Sequence, residues 1–450
     1  MRSRSRHSEA GGSVGNNHGR RVFLKALGFA AACPFARAAA ANADSERPEP
    51  RGRVTDAPVA DAVTASDRTP FYGVRQAGVT TARPANGMIA SFDVVAESID
   101  GLERLFRRLT ERAAFLTSGG LAPVADPRLP PPDSGLLGPI IRPDALTVTL
   151  SLGASLFDDR PWLTAHKPRR LSRMARFPND ALNRRICHGD LALQICANTR
   201  DAALHALRDI IKHCSDQLVL KWKQEGDVPV LAPGSGAPAE SARNFLGFRD
   251  GSANPDASDL DLMDRLVWVG PARDEPRWAT GGSYQVVRII RNFVERWDRT
   301  PLREQERIMG RAKMSGAPLD KPDAGEFAVP DYASDPLGKL TTLDAHIRLA
   351  NPRSGGDKES LILRRPFNYS NGVTNAGQLD QGLLFICYQA DLEKGFIAIQ
   401  NRLNGEPLEE YIKPVGGGYF FALPGARDVS DYLGSALIAA VREGSSRTSH

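Results

Sequence analysis

The chain has 450 residues, 58 Lys and Arg against 53 Asp and Glu, and an apolar fraction of 41%. This composition is too apolar and too balanced in charge for a disordered chain, and the length allows roughly two or three domains. Residues 1–43 hold seven basic residues against one acidic residue, so the net charge of +5 lies in that segment. The rest of the chain lacks the excess positive charge that a nucleic-acid partner requires.

Residues 1–43 have the layout of an export signal. A polar, basic stretch leads to Arg20 and Arg21, which Val-Phe-Leu-Lys, a short apolar run over 26–35 and several small residues follow. The twin arginines look like a twin-arginine (Tat) signal, and the Tat translocase exports proteins that are already folded. We therefore expect a periplasmic or extracellular protein. The alternatives are a tail that is never removed and a lipid-modified Cys33.

Residues 44–70, rich in Ala, Asp, Pro and Arg, have the composition of a linker. Beyond residue 43 no segment is long and apolar enough to span a bilayer, so we expect a mature protein that does not cross the membrane. The four cysteines outside the signal show neither zinc-ribbon spacing nor the C-x-x-C-H of covalent haem attachment. Cys196 and Cys387 lie in apolar runs, which predicts burial. The disulfide state of all four stays open: Cys187, Cys196, Cys214 and Cys387.

The first half of the chain, residues 71–270, alternates strand-like and helix-like periods. Helical spacing of leucine and phenylalanine marks 99–115, and alternating apolar residues mark the strands. The predicted strands are 88–95, 145–152, 190–197 and 217–222, with helices over 99–115 and 201–213. The order β-α-β-β-α-β is the ferredoxin-like unit.

The second half, residues 271–440, repeats this order without repeating the sequence. The predicted strands are 283–291, 360–367, 382–389 and 418–423, with helices over 293–309 and 391–403. The sequence thus predicts an α+β fold of two ferredoxin-like halves with antiparallel sheets. Two long polar connections, 244–274 and 310–349, interrupt it, and connections of that length are where a functional site is expected.

Three features of these connections and strands could carry chemistry. Asp250 stands in Gly247–Gly251, where Asp-Gly alone is typical of a turn. His346 stands in the second connection, although a lone histidine is more often solvated or structural than a ligand. Arg364 and Arg365 lie in an otherwise apolar strand, so one of them must face inward, where it needs a carboxylate, a phosphate or a cofactor.

Together these residues resemble the dye-decolourising (DyP-type) haem peroxidases. The resemblance rests on G-x-x-D-G at 247–251, a histidine about a hundred residues later and an arginine 18 residues after that histidine. Residues 244–255 (NFLGFRDGSANP), 187–191 (CHGDL) and 346–353 (HIRLANPR) look like the Tat-exported subfamily of deferrochelatase/peroxidases, which serve ferrous-iron uptake. The resemblance spans residues 71–433 and implies haem bound between the two halves. Arg75 departs from the subfamily, which commonly has His there.

The resemblance also implies the roles of individual residues. His346 would be the axial ligand of the haem iron, with its other ring nitrogen bound to a carboxylate or a carbonyl. Asp250 would relay a proton from one peroxide oxygen to the other, and Arg364 would stabilise the charge that develops as the O–O bond breaks. Asp344 is a looser candidate, and His188 is expected to be structural. The residues expected to bind the cofactor are Gly251, Ser252, Ala253, His346, Asn351, Pro352, Arg353 and Arg364, with Asn351 and Arg353 reaching a propionate.

The predicted function is therefore that of a haem peroxidase. It would hold one non-covalent haem b per chain, reduce hydrogen peroxide and oxidise phenols or dyes in one-electron steps, with an acidic optimum. The alternative, which the same pocket could serve, is a deferrochelatase that takes haem as substrate and releases iron from an intact porphyrin. A passive haem carrier is disfavoured, because a carrier needs no Asp–Arg pair. Expected partners are the small aromatic reductants, the Tat translocase and iron-uptake components, and we expect a homo-oligomer.

Overall fold

Two sets of four long strands alternate with helices along the chain. The structure, a computed structural model, describes residues 67–229, 240–354 and 360–448. The predicted signal peptide, with Cys33, and residues 44–66 of the predicted linker lie outside these ranges. The strands are β1 (Asn86–Val94), β2 (Gly120–Leu121), β3 (Ile140–Ile141), β4 (Thr147–Gly153), β5 (Leu191–Ala197), β6 (Leu218–Asp227), β7 (Ser283–Asn292), β8 (Leu363–Arg364), β9 (Phe367–Val373), β10 (Leu379–Gln389) and β11 (Ile412–Ala422).

The helices are more numerous than the sequence predicts, and those of the second half are shorter. Within the described ranges none is long and apolar enough to cross a bilayer. They are α1 (Ile99–Ser118), α2 (Ala154–Asp158), α3 (Pro161–Thr164), α4 (Arg200–His213), α5 (Leu260–Leu266), α6 (Val294–Trp297), α7 (Leu302–Met309), α8 (His346–Ala350), α9 (Ala398–Leu403) and α10 (Ser435–Thr448).

Each half builds one antiparallel four-stranded sheet with the same strand order. In the N-terminal half the spatial order is β6-β1-β5-β4, and in the C-terminal half it is β11-β7-β10-β9. If the strands of each half are numbered from one to four, both sheets have the order 4-1-3-2. The two ferredoxin-like halves are thereby confirmed.

The two sheets join through their outer strands. β4 pairs with β11, where Gly153 lies opposite Phe420, and β6 pairs with β9 through Asp227 and Asn368. The eight long strands therefore form a closed ring, which leaves no long edge strand unpaired in the described ranges.

Closure of the ring gives each strand an inner and an outer face. Inner residues such as Ile89 and Val287 belong to one core cluster, and their neighbours Met88 and Val286 belong to another. The outer cluster packs against helices, among them α1, whose apolar stripe begins at Leu102. The predicted period of two thus separates a core inside the ring from a core outside it.

Three predicted elements are interrupted by residues that cannot continue them. The helix over 293–309 is wrong as one piece, because Pro301 separates α6 from α7. The helix over 391–403 is kinked at Gly395, so that a π-helical turn, Glu393–Ile397, precedes α9. The strand over 360–367 is wrong in extent: it contains β8 and only the first residue of β9, which runs on to Val373. Both strands pair with β10 in one register and are separated at Pro366, which has no N–H to donate.

The seam between the two halves depends on Gly153. A Cβ atom at this position would lie 2.0 Å from the carbonyl oxygen of Gly189 and 3.4 Å from the ring of Phe420. At Gly270, by contrast, a Cβ atom would meet no atom within 4 Å.

We predict that Gly153→Ala lowers the free energy of unfolding by about 1–3 kcal/mol, because the backbone of Gly189 must move away from the new methyl group. Gly270→Ala is the matched control and should stay within about 0.5 kcal/mol of wild type. Urea denaturation of both variants, followed by circular dichroism, measures the difference. Equal midpoints for the two variants would show that the seam tolerates the methyl group.

Candidate active site

A deep, largely apolar pocket lies on the outer face of the C-terminal sheet. Arg288 and Ile290 of β7 and Leu383 and Phe385 of β10 form its floor, two residues apart on each strand. Helices α8 and α9 and the connection around Asp250 form its walls. Because side chains alternate between the two faces of a strand, every second residue in these parts of β7 and β10 lines the pocket.

His346, the first residue of α8, faces this pocket. Its Nδ1 lies 2.7 Å from Oε2 of the buried Glu406, while its Nε2 makes no hydrogen bond within the described ranges. Burial alone would lower the pKa of His346, but the charge and hydrogen bond of Glu406 raise it above its ordinary value. A carboxylate on Nδ1 fixes the ring and leaves Nε2 as the ligand atom, which is the arrangement of metal-binding histidines.

Asp250 and Arg364 form the second half of the site. Nη1 of Arg364 lies 2.5 Å from Oδ1 of Asp250, and both side chains line the pocket that His346 faces. Their charges reach His346: Arg364 lowers its pKa and Asp250 raises it. The structure thus brings together the three residues that the sequence singled out.

Asn254 fixes the backbone of Arg364. Its Oδ1 accepts the Arg364 N–H at 2.8 Å, and its Nδ2 donates to the Arg364 carbonyl at 3.0 Å. The Asn254 amide thus makes the two backbone hydrogen bonds that a neighbouring strand would make at the end of β8. Asn254 belongs to the motif 244–255, but nothing in the sequence indicated that it would contact the arginine strand.

The adjacent Arg365 points to the other face of the strand. It is buried, and it donates to the carbonyl oxygens of Thr81 and Ala82. Since side chains alternate along a strand, Arg364 enters the pocket because Arg365 enters the ring. The prediction that one of the two must face inward is confirmed, and backbone carbonyls rather than an anion accept its hydrogen bonds.

The loop that carries Asp250 is anchored by aromatic packing. Phe248 is buried against Trp297, with ring centroids 6.0 Å apart at 66°, and the Trp297 indole donates to the Leu246 carbonyl at 2.8 Å. Gly247 has φ +85, and a Cβ atom there would lie 2.5 Å from Lys313. The first glycine of G-x-x-D-G is therefore favoured by its left-handed backbone conformation, while the Lys313 side chain could move away from a methyl group.

Glu326, from the long insert over 310–349, holds the same loop from the other side. Its two oxygens accept the Ser241 N–H and the Ser252 hydroxyl, each at 2.8 Å. Burial alone would raise the pKa of Glu326, but the bonds from Ser241 and Ser252 and the charge of Arg249 bring it below the ordinary value. The carboxylate therefore stays ionised and keeps its contacts under mildly acidic conditions.

A second cavity reaches the Asp250–Arg364 pair from outside the pocket. It has a volume of about 600 Å³, and Asp250, Gly251 and Arg364 line both spaces. Arg83 and Thr81 form part of its far wall. The pair thus separates the deep pocket from a polar antechamber.

Most of the predicted cofactor-binding residues line the pocket, but one does not. The lining includes Gly251, Ser252, Ala253, His346, Asn351, Arg353 and Arg364. Pro352 is absent from it, because it lies between two residues whose side chains face the cavity. Arg353 has a left-handed φ of +62 and makes no hydrogen bond or ion pair within the described ranges. Its charge is available to a ligand.

The looser candidates lie away from the pocket. Asp344 is half exposed and lies 3.5 Å from Arg307. His188 has φ +59, and its carbonyl accepts from Trp222 at 2.7 Å and from Ser91 at 2.8 Å, which agrees with the expected structural role. Arg75 pairs with Asp264 and does not line the pocket. The departure from the subfamily at Arg75 therefore leaves the pocket lining unchanged.

Both halves of the chain contribute residues to the pocket. Its floor belongs to the C-terminal sheet, while Asn179 comes from the first half and the Asp250 loop from the connection. In the floor itself, the buried Arg288 pairs with the buried Asp180 of the first half. This buried ion pair joins the two halves, and no sequence pattern predicts it.

The residues present fit a haem. The apolar floor and the aliphatic side chains of α8 and α9 suit a flat porphyrin, and the free Nε2 of His346 suits its iron. Arg353, which makes no ion pair within the described ranges, suits an anionic propionate at the edge of the porphyrin. The remaining cysteines take no part: all four are buried and unpaired, and burial raises the pKa of Cys196 and Cys387.

Comparison with known proteins agrees with this geometry. The sequence model "Dyp-type peroxidase, N-terminal" matches residues 76–226, and "Dyp-type peroxidase, C-terminal" matches residues 241–427. The chain is 54% identical to a deferrochelatase of Escherichia coli (strain K12) and to one of Shigella boydii serotype 4 (strain Sb227). Each alignment covers 94% of this chain and 97% of the relative.

Solved structures show the same fold. Ferric DtpA from Streptomyces lividans superposes with a TM-score of 0.73 at 32% identity, over 83% of this chain and 97% of that one. A DyP-type peroxidase from Streptomyces coelicolor gives 0.73 at 32%, over 82% and 97%. The chain therefore belongs to the Dyp-type peroxidase family and is a haem-dependent enzyme.

Proposed function

We propose that the chain uses hydrogen peroxide to oxidise phenols or dyes, with Asp250 and Arg364 as its catalytic residues. The observation that carries the proposal is the 2.5 Å contact between these two side chains in the pocket that the free Nε2 of His346 faces. A proton acceptor, a fixed positive charge and a ligand nitrogen are the protein groups that peroxide reduction at a haem requires.

Bound haem supplies the iron at which peroxide is reduced and stores the two oxidising equivalents, so that one peroxide and two phenols give two waters and two phenoxyl radicals. His346, through Nε2, holds that haem, and Glu406 orients the imidazole. Asp250 takes a proton from one peroxide oxygen and returns it to the oxygen that leaves. Arg364 stabilises the negative charge on the leaving oxygen; Asp250 already orients its guanidinium, and Asn254 fixes its backbone.

The antechamber on the far side of the pair suits the entry of peroxide. Asp250 and Arg364 line both cavities, so a small polar molecule that enters from the antechamber meets the pair before the deep pocket. Phenols and dyes are larger than peroxide and would each give up one electron per step.

We predict that Asp250→Asn abolishes the acidic limb of the rate of reaction with peroxide, because an amide cannot take up or release the proton. The loss of rate should be about 10²–10⁴-fold. Arg364→Leu should lower the rate by about 10²–10³-fold and leave the acidic limb in place, since arginine does not titrate there. Stopped-flow absorbance at the Soret band between about pH 3 and 8 measures both profiles.

Asp261→Asn is the matched control for this series. Asp261 is exposed on α5 in the same connection and lines neither cavity. Its profile should match wild type. If Asp250→Asn keeps the wild-type rate and acidic limb, Asp250 is a turn residue and Arg364 is the main catalyst.

We predict that Glu406→Gln weakens haem binding by about 10–100-fold, because the imidazole loses the carboxylate that orients it. Titration of haem into the apoprotein, followed at the Soret band, gives the dissociation constant. Glu410→Gln is the control, since Glu410 lies in the same turn but its side chain is exposed and contacts only Arg296. Equal affinities of Glu406→Gln and wild type would remove Glu406 from the site.

A second candidate function is supported by the relatives. Deferrochelatase is the name of relatives that are 54% identical over nearly the whole chain. In that reaction haem is the substrate, and two protons replace the iron on the porphyrin nitrogens. We infer that Asp250, as a pocket carboxylate, is the group best placed to deliver them. Metal-free porphyrin fluorescence under anaerobic, reducing, peroxide-free conditions would favour this function, and dye turnover with peroxide favours the peroxidase.

We also propose that the protein is exported in folded, haem-loaded form to the periplasm or beyond. The proposal is supported by Arg20 and Arg21, the short apolar run that follows and the near-neutral charge of the remaining chain. Contact with iron-uptake components and a homo-oligomeric state stay predictions.

We predict that the double variant Arg20→Lys with Arg21→Lys leaves haem-loaded protein in the cytoplasm, because the export machinery reads the arginine pair. Cell fractionation followed by a peroxidase assay measures it. The double variant Arg2→Lys with Arg4→Lys, in the same basic segment, is the control and should be exported normally. Wild-type periplasmic activity in the first variant would contradict the Tat assignment.

A further inference from the structure

Tyr332 has a buried hydroxyl that no described residue uses. The residue belongs to the insert over 310–349 and lines the deep pocket. Its Oη is fully buried and has no hydrogen-bond partner in the described ranges. Buried polar atoms are nearly always hydrogen-bonded, so an orphaned hydroxyl on a pocket wall indicates a partner that belongs to the ligand.

The surroundings of this hydroxyl are cationic. Burial is the main cause that raises the pKa of Tyr332, to about 12, and the charges of Arg353 and Arg311 oppose it more strongly than Asp320 supports it. The phenol is therefore neutral and can donate a hydrogen bond at any pH at which the enzyme works.

Neither of the two arginines has a carboxylate hydrogen-bond partner in the described ranges. Arg353 makes no hydrogen bond there, and Nη1 of the buried Arg311 donates to the backbone carbonyls of Gly316 and Glu326, each at 2.7 Å. Two guanidinium groups and a phenol thus surround one part of the pocket. Arg311 is buried and Arg353 is exposed at the edge of the pocket, and two guanidinium groups beside a hydrogen-bond donor favour an anionic ligand group.

The ring of Tyr332 packs against the guanidinium of Arg348. The guanidinium of Arg348 lies 4.8 Å from the ring centroid, and it donates to the Thr341 carbonyl at 2.7 Å and to the Asp335 carbonyl at 2.8 Å. Since Arg348 lies on α8, two residues after His346, the phenol and the iron ligand are fixed to the same short helix.

We propose that Tyr332 donates a hydrogen bond to a carboxylate of the ligand in this pocket, a propionate of the haem, beside Arg353. The proposal rests on the proposed function, because it takes the ligand to be haem. Its consequence is that the ring of the haem is fixed at two points of one helix and its adjoining insert, the iron at His346 and one propionate at Tyr332.

Tyr332→Phe tests the proposal, because it removes only the hydroxyl. The variant should release haem to excess apomyoglobin about 10–100-fold faster than wild type, the effect of one hydrogen bond to a charged group. The same measurement is made with an iron porphyrin that carries ethyl groups in place of both propionates. With that porphyrin the variant and wild type should release at the same rate.

Tyr419→Phe is the matched control. The Oη of Tyr419 is also buried, but Tyr419 does not line the pocket. This variant should release haem at the wild-type rate. A similar acceleration in both variants would trace the effect to packing and overturn the proposal.

Two further outcomes contradict it. If Tyr332→Phe releases haem at the wild-type rate, the hydroxyl has another partner. Asp320, whose Oδ1 is buried without a hydrogen bond in the described ranges, is a candidate for that partner. If Tyr332→Phe accelerates release of both porphyrins equally, the hydroxyl does not contact a propionate. Failure of wild-type protein to bind haem would instead contradict the proposed function, so the two failures are distinguishable.

Discussion

The alternation of side chains across a closed ring of strands is the constraint on which the rest of the structure depends. Because β4 pairs with β11 and β6 with β9, every long strand has one face inside the ring and one outside. The inside must be filled by the chain itself, and buried polar groups there bond one another, as Tyr388 does with Gln194 and Gln285. On the C-terminal sheet the outer face becomes the floor of the pocket.

Each functional side chain of the pocket is held by a partner from a distant part of the chain. Glu406 fixes His346, Asn254 fixes Arg364, and Glu326 fixes the loop of Asp250. Groups that are already oriented before substrate arrives need no reorganisation during the reaction, which is how fixed charges stabilise a transition state. These partners come from loops and from the long insert over 310–349. The irregular segments of this protein therefore hold the side chains that line the pocket.

The strands and the candidate residues could be predicted from the sequence because their signals are local. Apolar runs predict seven of the eight long strands, and the arginine anomaly in an apolar strand points to Arg364. The eighth, β9, begins only at the last residue of the predicted strand 360–367. Pro301, Pro366 and Gly395 interrupt elements that the apolar pattern alone predicts as continuous. Glu406 and Tyr332 could not have been found, since their importance lies in contacts with residues that the chain brings near only by folding.

The central claim is that one haem is held by His346 in the pocket that Asp250 and Arg364 share. Its most direct test is the haem content of purified His346→Ala protein, measured as haem per chain and by the position of the Soret band. The account predicts that this variant loses most of its haem, or binds added haem far more weakly, while circular dichroism shows an unchanged fold. A variant with one haem per chain and the wild-type Soret band would contradict it.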